Sequence, residues 1–571
     1  MWRSAVWTSD ISEVEVERAL RAMKANKAPG PSGVTSDLLK FAGRTGIAQI
    51  TKVFQKIMHS EVCPEEWKDS TTLPFFKGKG DPLQCGKYRG LRLLEHGMKL
   101  WEKILDSRLK DVVKISDNQF GFSAGRSTTD AIFILRQIQQ KYTEKKKKLY
   151  HIFVDLEKAF DRVPRNAIEW ALRRQLVPEK LVRQVMALYE DARSSVSAAG
   201  GTSAPFEISV GVHQGSALSP LLFNLVMDEA TKECRRGVPW DMLYADDLVL
   251  TAETKEEVLE QFNRWKSAME SKGLKVNLSK TKILVSGKEC ESVVTSGEHP
   301  CSVCGRGVRA NSVLCTECRK WVHKRCSGLR VRSVTEEIAR EYVCPTCIRS
   351  RQGHPTRIDD SIVLGPAESE MVEEVESFCY LGSMVDREGG VERAVRSRVA
   401  TAWAKWREIS GLLGNRRIPL KNRVHIYTAC IRSVLLYGAE SWPLTQRLEQ
   451  CIQSCDRRML RFLAGVSLRD RVSSAEVARR CGLQEISDVA RVRRLQWFGH
   501  VQRRGEGEPL SVVYGWQVEG RRPRGRPKKS WTKTVEEDMR LLGIHETLAS
   551  DRQSWRAAVN RPTPQSGNQR R

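Results

Sequence analysis

The sequence of 571 residues predicts an α+β fold, on three observations. Short apolar runs end in carboxylates at Phe153-Val154-Asp155 and around Tyr244-Ala245-Asp246-Asp247, as buried strands do when they surface at a site. Stretches with helical apolar spacing lie between and after them, at Met98 to Val113, Val258 to Met269 and from Val395 onward. Seven cysteines and one histidine crowd between Cys301 and Cys347.

The length suits three or four domains, each with its own core. A net charge of +26 calls for a polyanionic partner, and nucleic acid is the first candidate. No run approaches the ~18 apolar residues that span a bilayer, and the first residues lack the apolar core of a signal peptide. Cysteines paired at metal spacing, rather than as a disulfide framework, suit a reducing intracellular compartment.

Taken in order, Val14, Val16, Leu20 and Met23 mark a helix that must stop at Ala28-Pro29-Gly30-Pro31-Ser32-Gly33, where proline and glycine force a loop. Thr71 to Asp81 reads as a strand running into a basic, glycine-rich loop, followed by Tyr88-Arg89-Gly90. Lys77 and Arg89 flank that loop. They are either a clamp for a triphosphate or plain exposed cations. The helix Thr129 to Tyr142 ends in four lysines, Lys145 to Lys148, expected in a solvated loop.

The strand from Tyr150 releases Asp155 at its end, and the pair Asp246-Asp247 sits in the turn of a hairpin. Neighbouring carboxylates repel one another and lose solvation, so they want a counter-charge, most simply a divalent cation. An Asp-Asp turn alone is usually only a solvated turn; a second acidic strand end makes a two-metal site for in-line phosphoryl transfer possible. Gly211-Val212-His213-Gln214-Gly215 is a glycine-spaced loop opening a helix, with Ser219 expected as N-cap and Pro220 at its first position. Thr254 begins a capping box. Lys275 to Leu284 reads as an alternating strand with three lysines.

The ordered set Ala28-Pro29-Gly30-Pro31, Tyr88-Arg89-Gly90, Gln119-Phe120-Gly121-Phe122, Phe153-Val154-Asp155, Gly211 to Gly215, Tyr244 to Asp247 and Asn277 to Lys282 resembles the reverse transcriptase of non-LTR (LINE-type) retrotransposons. Phe378-Cys379-Tyr380-Leu381-Gly382 resembles the next motif of that family, where primer grip and thumb begin. The resemblance implies a right-hand polymerase that extends a DNA 3′-hydroxyl on an RNA template from deoxynucleoside triphosphates, with two Mg²⁺ ions. It implies Asp155 and Asp246 as metal ligands and Asp247 as a third, less direct carboxylate. It further implies Phe160 as the ring that excludes a 2′-hydroxyl, Lys77 and Arg89 as triphosphate contacts, Gln214 at the nascent pair, and Lys280 as proton donor to the leaving pyrophosphate, with Lys282 a near alternative. Arg92 departs from the family, whose members often carry a small or polar residue there. The endonuclease that many such elements carry upstream is not expected here, as in a truncated or domesticated copy. A scaffold without catalysis that binds nucleic acid or chromatin is the alternative function.

Cys301-x2-Cys304, Cys315-x2-Cys318, His323-x2-Cys326 and Cys344-x2-Cys347 have the spacing of two tetrahedral zinc sites. The pattern resembles a PHD finger, whose interleaved topology implies Cys301, Cys304, His323 and Cys326 on one Zn²⁺ and Cys315, Cys318, Cys344 and Cys347 on the other. Trp321 matches an aromatic that walls a methyl-lysine cage in some PHD fingers; a structural or nucleic-acid-contacting knob is the other reading. Farther on, Arg457 to Phe462 and Arg491 to Phe498 interleave cations and aromatics, as phosphate-tracking surfaces do. Arg524-Gly525-Arg526-Pro527 resembles an AT-hook for a narrow minor groove, or serves as a basic linker and nuclear address.

The expected organisation is an N-terminal extension and fingers (1–150), palm (151–285), inserted zinc finger (299–348), end of palm and thumb (372–445), and a basic helical region (446–571), with the polymerase domain over about 50–390. A nuclear or nucleocytoplasmic location is expected.

Overall fold

Ser12 caps the first helix, α1 (Glu13–Ala22), in a reciprocal capping box with Glu15. Val16 and Leu20 enter the core, whereas Val14 is 62% exposed. Two residues along a helix is a turn of about 200°, so Val14 and Val16 cannot share a face. In this computed structural model the described residues are 9–78, 80–287, 361–363, 371–520, 522 and 527–561, with 301, 303, 312–316, 321–323, 326–327, 342–345 and 347–348. Cys304, Cys318, Arg524, Gly525 and Arg526 lie outside them.

Two sheets frame the amino-terminal half. The first is built on β1 (Asp69–Phe76), antiparallel to β2 (Tyr88–Leu93) and parallel to β4 (Arg193–Ala198); β5 (Gly201–Thr202) and β6 (Phe206–Glu207) pair with β4. The second has six strands in the order β12-β13-β9-β3-β8-β7. Its centre is β3 (Leu149–Val154), antiparallel to both β8 (Asp247–Ala252) and β9 (Lys282–Ser286). β7 (Asp241–Tyr244) closes a hairpin with β8, while β12 (Ser361–Val363) and β13 (Met371–Glu374) extend the other edge.

The strands of the six-stranded sheet are apolar without alternation because both faces are covered. Ile152, Val154, Leu250 and Ile283 join one core with α2 (His96–Lys110), α4 (Ser219–Thr231) and α5 (Lys255–Glu270). Phe153, Val249, Leu284 and Met242, one residue out of step, join another core with α3 (Thr128–Glu144). Beyond β10 (Ser312–Leu314) and β11 (Trp321–His323), which pair in the cysteine-rich stretch, β14 (Ser377–Tyr380) and β15 (Ser383–Asp386) form a further hairpin. Phe378 stacks on Phe153 at 4.2 Å.

The carboxyl-terminal helices divide between two cores, and the division differs from a boundary at 445/446. α6 (Glu392–Gly414), residues 420–435 and α7 (Gln446–Ala464) share one core that runs on to Ile486 and Ala490. α8 (Ile486–Gln502), α9 (Pro509–Gly515), α10 (Trp531–Leu542) and α11 (Arg552–Val559) instead pack with α3 over the second face of the sheet. Arg491 to Phe498 is therefore no phosphate-tracking surface. Phe498 is in the core, Trp497 sits edge-on to Phe133, and Arg494 forms a buried ion pair with Asp538 at 2.7 Å. A desolvated guanidinium survives only with such a partner.

Two local expectations are corrected. Lys275 to Leu284 is not one strand: β9 starts at Lys282, and Asn277 turns the chain before it, its side chain accepting from Ser279 Oγ (2.8 Å) and the Lys280 amide (3.3 Å). Ser219 is not the N-cap of α4 but its first residue. Ser216 Oγ accepts from the amides of Leu218 (3.0 Å) and Ser219 (3.1 Å) in its place. Thr254 caps α5 as expected, accepting from the Glu257 amide at 3.2 Å.

Candidate active site and metal centres

The register of β3 and β8 pairs Val154 with Leu248. One step further along both strands stand Asp155 and Asp247, with Asp246 in the two-residue turn of the β7–β8 hairpin, where Tyr244 pairs with Asp247. Strand pairing thus brings together carboxylates from distant parts of the chain. Burial raises the proton affinity of Asp246, and Asp155 adds repulsion, while Arg89 and Lys280 oppose it. Burial, then Asp246 and Asp155, push the Asp247 carboxyl up to about 6. Hard cations are bound by oxygen donors of this kind, and a cation would relieve this repulsion.

Lys280 reaches the same place. Its Nζ lies 3.1 Å from Asp155 Oδ2, as the internal counter-charge to that carboxylate. Lys282 is diverted, its ammonium donating to Glu373 Oε2 and the Ser279 carbonyl, both at 2.7 Å. A cleft of about 330 Å³ opens beside the carboxylates, walled by Lys280, Phe378 and Tyr380. The Tyr380 hydroxyl is buried there with no hydrogen-bond partner, and burial raises its pKa far above the usual phenol range.

Phe160 lies on the short helix Ala159–Arg162, stacked on Phe223 at 4.4 Å and edge-on to Phe122 at 6.3 Å. The Gly211–Gly215 loop packs directly on that helix. The Val212 amide donates to the Phe160 carbonyl at 2.9 Å, and Gln214 Nε2 donates to Asp161 Oδ1 at 2.7 Å. A Cβ on Gly211 would collide with the Asp161 carbonyl, and one on Gly215 would come within 2.9 Å of the Arg92 carbonyl. Both glycines also have positive φ, so the loop needs them twice over. Arg89 is exposed on β2, opposite Phe75. Lys77 is engaged locally. Its Nζ donates to the Gly86 carbonyl at 3.1 Å and ties the two sides of the loop between β1 and β2. Arg92 is half-buried, its Nη1 without a partner.

Two residues matter here to which the sequence assigned no role. Gln119 is buried, and its side-chain oxygen accepts from the amides of Gly121 (2.8 Å) and Ala245 (2.9 Å). It thereby holds the carboxylate hairpin, whose Ala245 has the strained φ of +56°. A Cβ on Gly121 would strike the Ala245 nitrogen, so only glycine fits between the two segments. Glu102, buried in α2, accepts from the Ala217 amide at 2.9 Å. Burial pushes its carboxyl up to about 7 against the opposing hydrogen bonds from Ser216 and Ala217. The signal for Gln119 was in the Gln-Phe-Gly-Phe run; nothing local marks Glu102.

In the cysteine-rich stretch, ligand atoms of Cys301, His323 and Cys326 lie within 4.8 Å of one another, as do those of Cys315, Cys344 and Cys347. Cys315 and Cys347 sulfurs are 4.0 Å apart, and Cys326 Sγ is 3.9 Å from His323 Nδ1. Those are close to tetrahedron edges around an ion with bonds of about 2.3 Å, roughly 3.8 Å, and far from the ~2.05 Å of a disulfide. Backbone amides of His323 and Cys344 point at the sulfurs of Cys301 and Cys315, at 3.4 and 3.2 Å. Such amides favour thiolates and fit a bound cation. Trp321 packs against the module's small core.

Residues 77–342 match the family "Reverse transcriptase (RNA-dependent DNA polymerase)". The chain is similar to the "Retrovirus-related Pol polyprotein from type-1 retrotransposable element R2" of Nasonia vitripennis, 28% identical over 51% of this chain and 28% of that one. It is similar to the "Probable RNA-directed DNA polymerase from transposon BS" of Drosophila melanogaster, 22% identical over 76% of this chain and 42% of the relative. It is also similar to the "RNA-directed DNA polymerase from mobile element jockey" of that fly, 25% identical over 45% and 30% of the two chains. The chain thus spans less than half the length of these curated relatives.

Proposed function

We propose that this chain is an RNA-directed DNA polymerase of the non-LTR retrotransposon kind, extending a DNA 3′-hydroxyl along an RNA template. The observation that carries the reading is the meeting of Asp155 with Asp246 and Asp247 at adjoining strand ends, inside the region that matches the reverse transcriptase family. The six-stranded sheet is then the palm, the β1–β2 hairpin belongs to the fingers, and α6 with residues 420–445 forms the thumb.

In this reading Asp155 and Asp246 would hold two Mg²⁺ ions, with Asp247 less directly engaged. Ions held there would supply Lewis-acid stabilisation of the attacking and leaving oxygens and of the charge on the phosphoryl oxygens. The protein's share is positioning. Phe160, braced on Phe223 and Phe122, forms the floor under the incoming sugar, where a 2′-hydroxyl would strike the ring. Arg89 supplies a fork for triphosphate oxygens near Asp246. Gln214, tied to Asp161, lines the nascent pair. Lys280 can exchange Asp155 for the leaving pyrophosphate and give it a proton. Lys77 reaches a triphosphate only by releasing Gly86.

The cysteine-rich stretch is read as a zinc module of PHD type, with Cys304 and Cys318 completing the two groups of three. Its sulfur and imidazole donors suit zinc rather than Mg²⁺. A nuclear location and a minor-groove role for residues 524–527 belong to the same reading.

The test is primer extension on an RNA template with Mg²⁺ and deoxynucleotides, for the unmutated chain and Asp246→Ala. Extension by the first, abolished in the second, is the expected result; no extension by the unmutated chain sinks the proposal.

A further inference from the structure

A second feature stands apart from the carboxylates. Helices α8 and α11 cross so closely that a Cβ on Gly499 would overlap the Trp555 ring, and Trp555 Nε1 is fixed on the Leu495 carbonyl at 2.8 Å. The crossing gathers Arg503, Arg504, Arg552 and Arg556 around one open cleft of about 690 Å³, with Glu508 the one carboxylate in its lining among the described residues. Arg504 is engaged within the fold, donating to Glu508 Oε2 at 3.0 Å and to the Gly125 carbonyl at 2.5 Å. Arg503 donates to the Ala549 carbonyl at 2.7 Å; burial, then the charge of Arg552, lowers its proton affinity.

Arg552 and Arg556 are exposed and have no acidic side-chain partner among the described residues. The neighbouring Asp551 is occupied as the cap of α11, accepting from the Ser554 amide at 2.6 Å. Four guanidinium groups facing one cleft repel each other, and this cleft is open to an external polyanion. Its location says which one. Gly125 is on its rim, and Gly121, which abuts Ala245 of the carboxylate hairpin, is four residues away, at most about 14 Å along the chain. A nucleic-acid strand advances about 3.4 Å per phosphate along its axis, so roughly four phosphates bridge that distance. Arg552 and Arg556 are one helical turn apart, about 5–6 Å, and can take successive phosphates.

We propose that the arginine cleft between α8 and α11 grips the phosphodiester backbone of the nucleic acid whose end lies at Asp155 and Asp246. The proposal rests on the polymerase reading for the identity of that nucleic acid, but its test does not need catalysis. Fluorescence anisotropy of the full chain without Mg²⁺ is measured with single-stranded RNA, a blunt RNA–DNA heteroduplex, and a primed template with an RNA overhang, over a series of salt concentrations. The Arg552→Glu, Arg556→Glu double variant should bind at least one of these about tenfold more weakly, and the neutral pair Arg552→Gln, Arg556→Gln less severely. Its log–log salt slope should shrink by about 1.4–1.8, the release expected for two lost contacts. A loss confined to the RNA overhang assigns the cleft to the template strand, and a loss with the blunt heteroduplex assigns it to the duplex. Affinity and slope unchanged in all three arms overturn the proposal, as does an unmutated chain that binds none of them. Absent extension by the unmutated chain with intact binding counts against the polymerase reading alone.

Discussion

Gln119 and Glu102 show how single side chains hold this site without touching a substrate. Gln119 accepts two backbone amides, one of them at the strained Ala245 beside Asp246. Gln119→Leu removes that acceptor and strands both amides, at a cost of about 1–3 kcal/mol each. Extension by this variant should lose kcat by one to two orders of magnitude with KM for the deoxynucleotide little changed. A matched loss in KM would instead point to nucleotide binding. Glu102 gives a pH dependence whose sign can be worked out. Its folded pKa of about 7 lies above the ordinary value of 4.5, so the folded state binds the extra proton between these values. Stability is then full below about 4.5 and falls as pH rises through 7, by an order of a few kcal/mol. Lys99 lowers and Asp106 raises this affinity. Urea midpoints at about pH 4 and pH 8, either side of that window, should separate for the unmutated chain and draw together for Glu102→Gln. On the proposed polymerase reading, Phe160→Ala should open the floor under the incoming sugar. Ribonucleotide incorporation relative to deoxynucleotide is the readout, and an unchanged ratio would remove the residue from that role.

At the scale of elements, α7 and residues 420–435 are locked by a buried network. Arg432 pairs with both oxygens of Asp456 at 2.8 and 2.7 Å, and Tyr427 donates to the same carboxylate at 2.6 Å. Removing one partner leaves an uncompensated buried charge, which costs about 3–5 kcal/mol. Arg432→Ala should lower the thermal midpoint, and the apolar double variant Arg432→Met, Asp456→Leu should recover much of the loss. These helices were legible in the sequence because Val395, Trp406, Val424 and Tyr427 follow helical spacing into one core. The Asn277 turn was not, since its residues alternate as a strand would; the side-chain cap that breaks the strand is a matter of local hydrogen bonding.

For the molecule as a whole, the helices from Ile486 are a cover rather than a tail. Phe498, Trp531 and Trp555 share a core with Phe133, Phe153 and Met242 on the second face of the sheet. A chain ending at 485 should expose that face and aggregate or bind a hydrophobic dye, where a detachable module would leave the remainder soluble. The cysteine-rich stretch, proposed as a zinc module, is tested by its metal. Metal analysis should find about two zinc ions per chain, as two tetrahedral sites require, and thiol modification should release both. Finding none would refute the module.

By itself, the sequence determined the strand-end carboxylates, the order of the motifs around them and the paired spacing of Cys and His. Those signals are local: a strand that ends in Asp, a glycine loop, a closely spaced ligand pair. Only the tertiary structure decided that Gln119 carries Ala245, that Glu102 sits under the Gly211–Gly215 loop's exit, and that Arg494 and Trp497 serve the core rather than a phosphate. The physical reason is that burial and partnership are properties of a packed pair. An arginine beside an aromatic reads the same in sequence whether its counter-charge is a phosphate in solvent or Asp538 inside the fold.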